Sequence, residues 1–160
     1  MRGSQPENKL LAGVNGTIPA LEYKLSDGIA IISLGNSASG ESPWGTNEEE
    51  HRLEPRTVIG LSRALEQAEN DDSVQCVVVK AEGRYWSNGF DLKWIQQNMH
   101  LADALQQAVE LLCAHILQYS KPTLAAVNGH ACAAGAMLVE NDKGQLLTQL
   151  TVPIDDDADF

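Results

Sequence analysis

Ser87-Asn88-Gly89-Phe90-Asp91-Leu92 and Asn128-Gly129-His130-Ala131-Cys132-Ala133-Ala134-Gly135 are two glycine turns in the same setting, each after an apolar, strand-like run and before a helix-like stretch. Strand, turn and helix in that repeated order predict an α/β fold in which parallel strands are joined by helical crossovers. Two such turns, brought together, can aim two backbone N–H groups at one oxygen. That arrangement stabilises a carbonyl oxygen as it takes on negative charge.

Neither turn is decisive alone. Asn88-Gly89 is also a two-residue hairpin signal, with Phe90, Leu92 and Trp94 alternating as a second strand would. Against the hairpin, Leu92, Ile95 and Met99 fit a helical stripe, and Gln96-Gln97-Asn98 is a poor strand end. The second turn is more restrictive, because the small side chains of residues 131–136 let backbone approach a ligand or a neighbouring helix closely. Tight helix packing without a ligand would use the same residues. A helix beginning there presents unpaired N–H groups and a partial positive charge.

Outward from the turns, residues 74–79 and 123–127 are the strand-type runs that feed them, the first read as covered on both faces. Pro55 suits a first helical turn, and Val58, Leu61, Leu65 and Ala68 form one apolar stripe of a helix ending near Asn70. Leu101, Leu105, Ala108, Leu112, His115 and Tyr119 form a second stripe, stopped by Lys121-Pro122, with His115 read as a core histidine. His130 is read as a turn residue. Residues 21–25 and 29–34 flank Ser26-Asp27-Gly28 and predict an opening hairpin. Residues 35–50 read as an exposed loop in which Trp44 is the one candidate anchor. The domain reading is a flexible arm over 1–20, a core over 21–139 and an acidic, partly disordered tail over 140–160.

A chain of 160 residues, 43% of them apolar, supports one domain with a real core. The net charge of −11 includes no basic stripe able to neutralise a phosphate backbone, which argues against nucleic acid as a partner. No apolar run is long enough to span a bilayer, and the start lacks the pattern of a secretory signal. Cys76, Cys113 and Cys132 lie far apart with no C-x-x-C pair, so buried, reduced thiols are expected and no metal site.

Tyr85-Trp86-Ser87-Asn88-Gly89-Phe90-Asp91-Leu92, taken with Lys121-Pro122-Thr123-Leu124-Ala125-Ala126-Val127-Asn128-Gly129-His130, resembles the crotonase, or enoyl-CoA hydratase/isomerase, superfamily. The closer likeness is to plant-type and peroxisomal Δ3,Δ2-enoyl-CoA isomerases, and it covers about residues 21–139. The resemblance implies a spiral of ββα turns and an acyl-CoA thioester as substrate. Coenzyme A is then part of the substrate, and no other cofactor is needed. It assigns the oxyanion-hole N–H groups to Phe90 and Ala134, with Ser87, Asn88, Gly89, Asp91, Leu92 and Gly135 lining the thioester path. Asp91 is read as a cap that fixes the turn. Arg84, Lys93 and Lys121 are candidates for attracting the anionic nucleotide.

The reaction so implied is the double-bond shift of fatty-acid β-oxidation, which needs a positioned base. Met137 stands where hydratases of the family carry their first glutamate, which argues against hydration. The isomerase base belongs to a later segment that residues 140–160 do not match. Glu140 would lie roughly 9 Å down a helix from Ala134, and Asp155, Asp156 and Asp157 read as solvated tail. The chain therefore reads as the front half of the fold, with activity doubtful. The alternatives are a non-catalytic fragment that binds CoA thioesters or full-length relatives and, behind it, an enoyl-CoA hydratase. The family's homo-trimers or hexamers are doubtful here because the helices that build them are not recognised. The peroxisome is implied by resemblance, although Ala158-Asp159-Phe160 is not the usual peroxisomal ending, which otherwise leaves the cytoplasm.

Overall fold

The computed structural model describes residues 5–13, 21–35 and 50–140. Its first element, α1 (Gln5–Gly13), lies in the stretch expected to be a flexible arm. Pro6 falls in the first helical turn, where a missing N–H costs nothing, and Leu10 is fully buried in the common core. One well-placed apolar anchor thus outweighs the local glycine and proline content. Trp44 and the acidic run Asp155-Asp156-Asp157 lie outside the described residues.

β1 (Glu22–Ser26) and β2 (Ile29–Ser33) form the expected antiparallel hairpin, paired from Glu22↔Ser33 to Ser26↔Ile29. α2 (Pro55–Glu69) follows, burying Val58, Ile59, Leu61, Leu65 and Ala68. The crossover returns to β3 (Cys76–Lys80), parallel to β2. β3 alternates between buried and half-buried positions, so it is covered fully on one face and not on both as expected. The chain next leaves this sheet through β4 (Tyr85–Ser87), α3 (Leu92–Gln97) and a 3-10 turn, Met99–Leu101. The long α4 (Ala102–Gln118) carries it back to β5 (Thr123–Ala126), parallel to β3. β6 (His130–Ala131) then pairs parallel with β4, and α5 (Ala134–Glu140) closes the described chain.

The result is a four-stranded sheet in the order β1-β2-β3-β5, with a second, two-stranded ladder of β4 and β6. Trp86, Leu53, Ile32, Leu105 and Leu112 are among the fully buried side chains that join strands and helices in one core. Each leucine or isoleucine so buried contributes about 1.5–3 kcal/mol relative to exposure. Because β4 and β6 lie side by side and parallel, their carboxyl ends bring the two glycine turns together.

Candidate active site

The first turn is not a hairpin. After β4 the chain touches Leu53 through an isolated parallel bridge at Phe90 and then enters α3. Asp91 caps that helix, its Oδ1 accepting from the Trp94 N–H at 2.9 Å, and its side chain is buried. This is the turn-fixing role read from the sequence.

Backbone geometry sets the direction of the Phe90 N–H. The trans peptide joining Gly89 to Phe90 carries the Gly89 carbonyl and the Phe90 N–H pointing opposite ways. Leu53 N–H holds that carbonyl at 2.7 Å, and Asp91 N–H returns to the Leu53 carbonyl at 3.2 Å. The Phe90 N–H therefore faces away from Leu53. Ala134 opens α5, so its N–H has no acceptor within the helix. The carbonyl on the same peptide, that of Ala133, accepts from Met137 N–H at 3.2 Å and so points down the helix. Among the described residues, no acceptor meets the N–H of Phe90 or of Ala134.

The turns are in contact. Gly89 has φ +79°, and a methyl group built on it would stand 3.0 Å from the Cys132 carbonyl oxygen and 3.3 Å from Ala134 N. Only glycine meets both demands at low cost. Gly135 packs α5 onto the end of β4, where a methyl group would stand 2.6 Å from the Ser87 carbonyl oxygen. Ala133 takes a left-handed φ of 48° between them, backbone strain of the kind that surrounding structure must hold in place. Asn128 Nδ2 donates to the Gly83 carbonyl at 2.7 Å and His130 N–H to the Arg84 carbonyl at 3.0 Å, tying the second turn to the approach of the first.

The predicted contact residues divide by burial. Leu92 is exposed and Asn88 half-buried, the latter held by Glu50 through both its N–H and its amide. Ser87 and Asp91 are buried beneath the turn and act through other groups. Met137 lies one helical turn beyond Ala134 and is exposed. Cys132 is exposed, contrary to the buried thiol expected, because its turn lies at the molecular surface; Cys113 is buried and Cys76 half-buried, and none of the three is in a disulfide.

Of the three candidate cations, Lys121 is excluded by geometry. Its ammonium is committed to the carbonyls of Ala68 (2.8 Å) and Asp71 (2.6 Å), before the amino end of β5 and away from the turns that follow β4 and β6. Arg84 lies over the Tyr85 ring at 5.8 Å, beside the β4 approach, and Lys93 is exposed on α3. His115 is not a core residue either: it is half-buried and meets Glu69 at 2.9 Å. His130 belongs to β6, with its ring against Tyr85.

Residues 50–54 support the first turn from a distance in sequence. His51 is buried with φ 42°, its Nε2 is 2.7 Å from the Glu82 carbonyl, and its own carbonyl accepts from Ser87 Oγ at 2.8 Å. The available signal was Leu53, one apolar residue between charged neighbours, which proves fully buried. Burial pushes the Glu54 carboxyl above its usual value, Arg56 opposes this, and the nearby Asp91 charge adds to it.

Known proteins resemble this chain in sequence and in fold. The enoyl-CoA hydratase/isomerase family model matches residues 47–140. Enoyl-CoA delta isomerase 2, peroxisomal, of Arabidopsis thaliana is 39% identical over 100 residues, covering 58% of this chain and 42% of that protein. Enoyl-CoA delta isomerase 3 of the same plant is 37% identical over 97 residues, covering 58% and 41%. A probable enoyl-CoA hydratase from Mycobacterium tuberculosis H37Rv superposes with a TM-score of 0.65 at 30% identity, over 78% of this chain and 48% of the other. The chain thus spans about two fifths of the length of these curated relatives and half that of the solved neighbour.

Proposed function

The chain belongs to the enoyl-CoA hydratase/isomerase family, and from that membership we propose that it binds acyl-CoA thioesters through an oxyanion hole made by the N–H groups of Phe90 and Ala134. The reaction this serves is the Δ3 to Δ2 double-bond shift of fatty-acid β-oxidation. Removal of a proton from the carbon beside the thioester carbonyl moves charge onto the carbonyl oxygen, and return of a proton farther along the chain completes the shift. Two N–H groups that already point at the oxygen stabilise the enolate without reorganising. Loss of one such donor costs about 10²–10³ in rate in related chemistry.

The observation that carries the reading is the meeting of the two turns, with both N–H groups left without an acceptor among the described residues. Asn88, Gly89, Leu92 and Gly135 complete the proposed contact set. Addition of a saturated acyl-CoA is expected to raise the melting temperature of the full chain, as any ligand selective for the native state does. A well-folded chain whose melting is unmoved by millimolar acyl-CoA would refute the proposal.

The proton-transfer group is a separate matter. The Glu50 carboxylate is engaged by Arg52 and Asn88, Asp91 caps α3, and Met137 cannot exchange a proton. These observations favour a second reading, in which the chain binds acyl-CoA or a full-length relative without catalysing the shift. Incubation with a 3-enoyl-CoA in deuterated water separates the two: conversion with deuterium uptake supports the isomerase, and binding without either supports the binder. We place the protein in the peroxisome, the compartment in the name of one similar isomerase. A fluorescent fusion spread evenly through the cytoplasm would argue against that placement.

A further inference from the structure

Ser87 holds both turns at once, and we infer that it is the positioning residue for the Phe90 and Ala134 N–H pair, with His51 as its anchor; the inference rests on the oxyanion reading above. The Ser87 side chain is fully buried, so it contacts no substrate. Its hydroxyl donates to the His51 carbonyl at 2.8 Å and accepts the Gly89 N–H at 3.3 Å. Its carbonyl accepts the Cys132 N–H at 2.9 Å, and Gly135 packs directly against it. One residue therefore bonds to the peptide preceding the Gly89–Phe90 peptide and also to the turn that leads to Ala134.

The residue type follows from these partners. A hydroxyl donates one hydrogen bond while accepting another. Alanine does neither, and a thiol does both weakly. His51 supplies the fixed end of the chain of bonds: its Nε2 must carry the proton to donate to the Glu82 carbonyl, and that contact holds the buried ring and its left-handed backbone in place. From Glu82 through His51 and Ser87 to Gly89, each link is a hydrogen bond or the covalent chain.

The test uses hexanoyl-CoA labelled with ¹³C at its carbonyl, together with hexyl-CoA, the thioether that lacks that oxygen. Bound to the full chain, the labelled carbonyl is expected to absorb at lower infrared frequency than in water. Ser87→Ala is expected to lose much of that displacement and to reduce the preference for hexanoyl-CoA over hexyl-CoA by about 3–10-fold, the worth of one hydrogen bond. Its affinity for hexyl-CoA should not change. His51→Ala should act in the same direction and His51→Gln, which keeps a donor amide, should recover part of the displacement. Full displacement and full preference in Ser87→Ala would overturn the positioning role while leaving the oxyanion reading intact. Bound hexanoyl-CoA with no displacement in the unmutated chain would overturn the oxyanion reading, and the positioning role with it. If Ser87→Ala does not fold, Ser87→Cys is read instead: an intermediate displacement supports the role and an undiminished one defeats it.

Discussion

The amino end of β5 and the carboxyl ends of β4 and β6 use polar groups in opposite ways. At the amino end of β5, Lys121 donates to two carbonyls at the end of α2, and Glu69 accepts from Ser120 N–H and meets His115. Tyr119 adds a hydroxyl bond of 2.6 Å to the Leu65 carbonyl. That corner uses its side chains to close helix ends, and it locks α4 to α2. At the carboxyl ends of β4 and β6 the bonds are as dense, yet among the described residues they leave the N–H groups of Phe90 and Ala134 without acceptors. An orphan donor is a cost in a structural corner. At a site it is capacity, provided the surrounding bonds hold its direction.

The largest test of that contrast is Gly135→Val. Its side chain would have to occupy space within 2.6 Å of the Ser87 carbonyl oxygen, so urea unfolding should show a loss of about 3 kcal/mol. Acyl-CoA should no longer raise the melting temperature. A stable variant that still binds would show that close packing of α5 on β4 is not what assembles the site.

Met137→Glu sharpens the comparison from the other side, by adding a proton acceptor one turn beyond Ala134. Exchange of the acyl-CoA α-proton in deuterated water, followed by NMR, should accelerate on the order of 100-fold over the unmutated chain. Retained binding with no acceleration would mean that the carbonyl is held but not polarised, or that position 137 does not reach the α-carbon.

At the structural end, Lys121→Met removes two charge-assisted bonds and should cost about 2 kcal/mol in chemical unfolding. Acyl-CoA affinity, measured by calorimetry, should stay within about twofold. A selective loss of affinity would return Lys121 to the list of nucleotide-attracting residues and erase the distinction between the ends.

The smallest effect concerns pH. The bond from His115, reinforced by Ser120, holds the Glu69 carboxyl below the usual 4.5. Because its folded value is depressed, its contribution is present above the unfolded value and is lost as pH falls through the folded one. The pair is partly exposed, so Glu69→Gln should cost less than about 1 kcal/mol at pH 7. Melting curves of the two forms should converge in acid; a gap that widens there would reverse the sign.

Much of this architecture was legible in the chain. The α2 stripe, its proline start and the hairpin around Asp27-Gly28 are short-range patterns, and short-range patterns survive folding unchanged. The second glycine turn advertised close packing through its small residues, and Gly135 against Ser87 is that packing. Local reading misled where the partner is distant in sequence. Pro6 and the flanking glycines suggested a flexible arm, but Leu10 finds the core and a helix forms around it. Lys121 looked like any exposed cation, and its two carbonyl acceptors lie about fifty residues earlier. His51 gave no signal, because its value lies in a carbonyl offered to Ser87.

By itself, the sequence determined the alternation of strands and crossovers, the family and the identity of the two turns, since these depend on periodicity and on residues that permit particular backbone angles. Only the tertiary structure decided that the first turn opens a helix rather than a hairpin, that both turns meet, and which of their N–H groups lack an acceptor among the described residues. Those outcomes depend on peptide orientation, and orientation is set by hydrogen-bond partners, Leu53, His51 and Ser87 among them, that come together only in the folded chain.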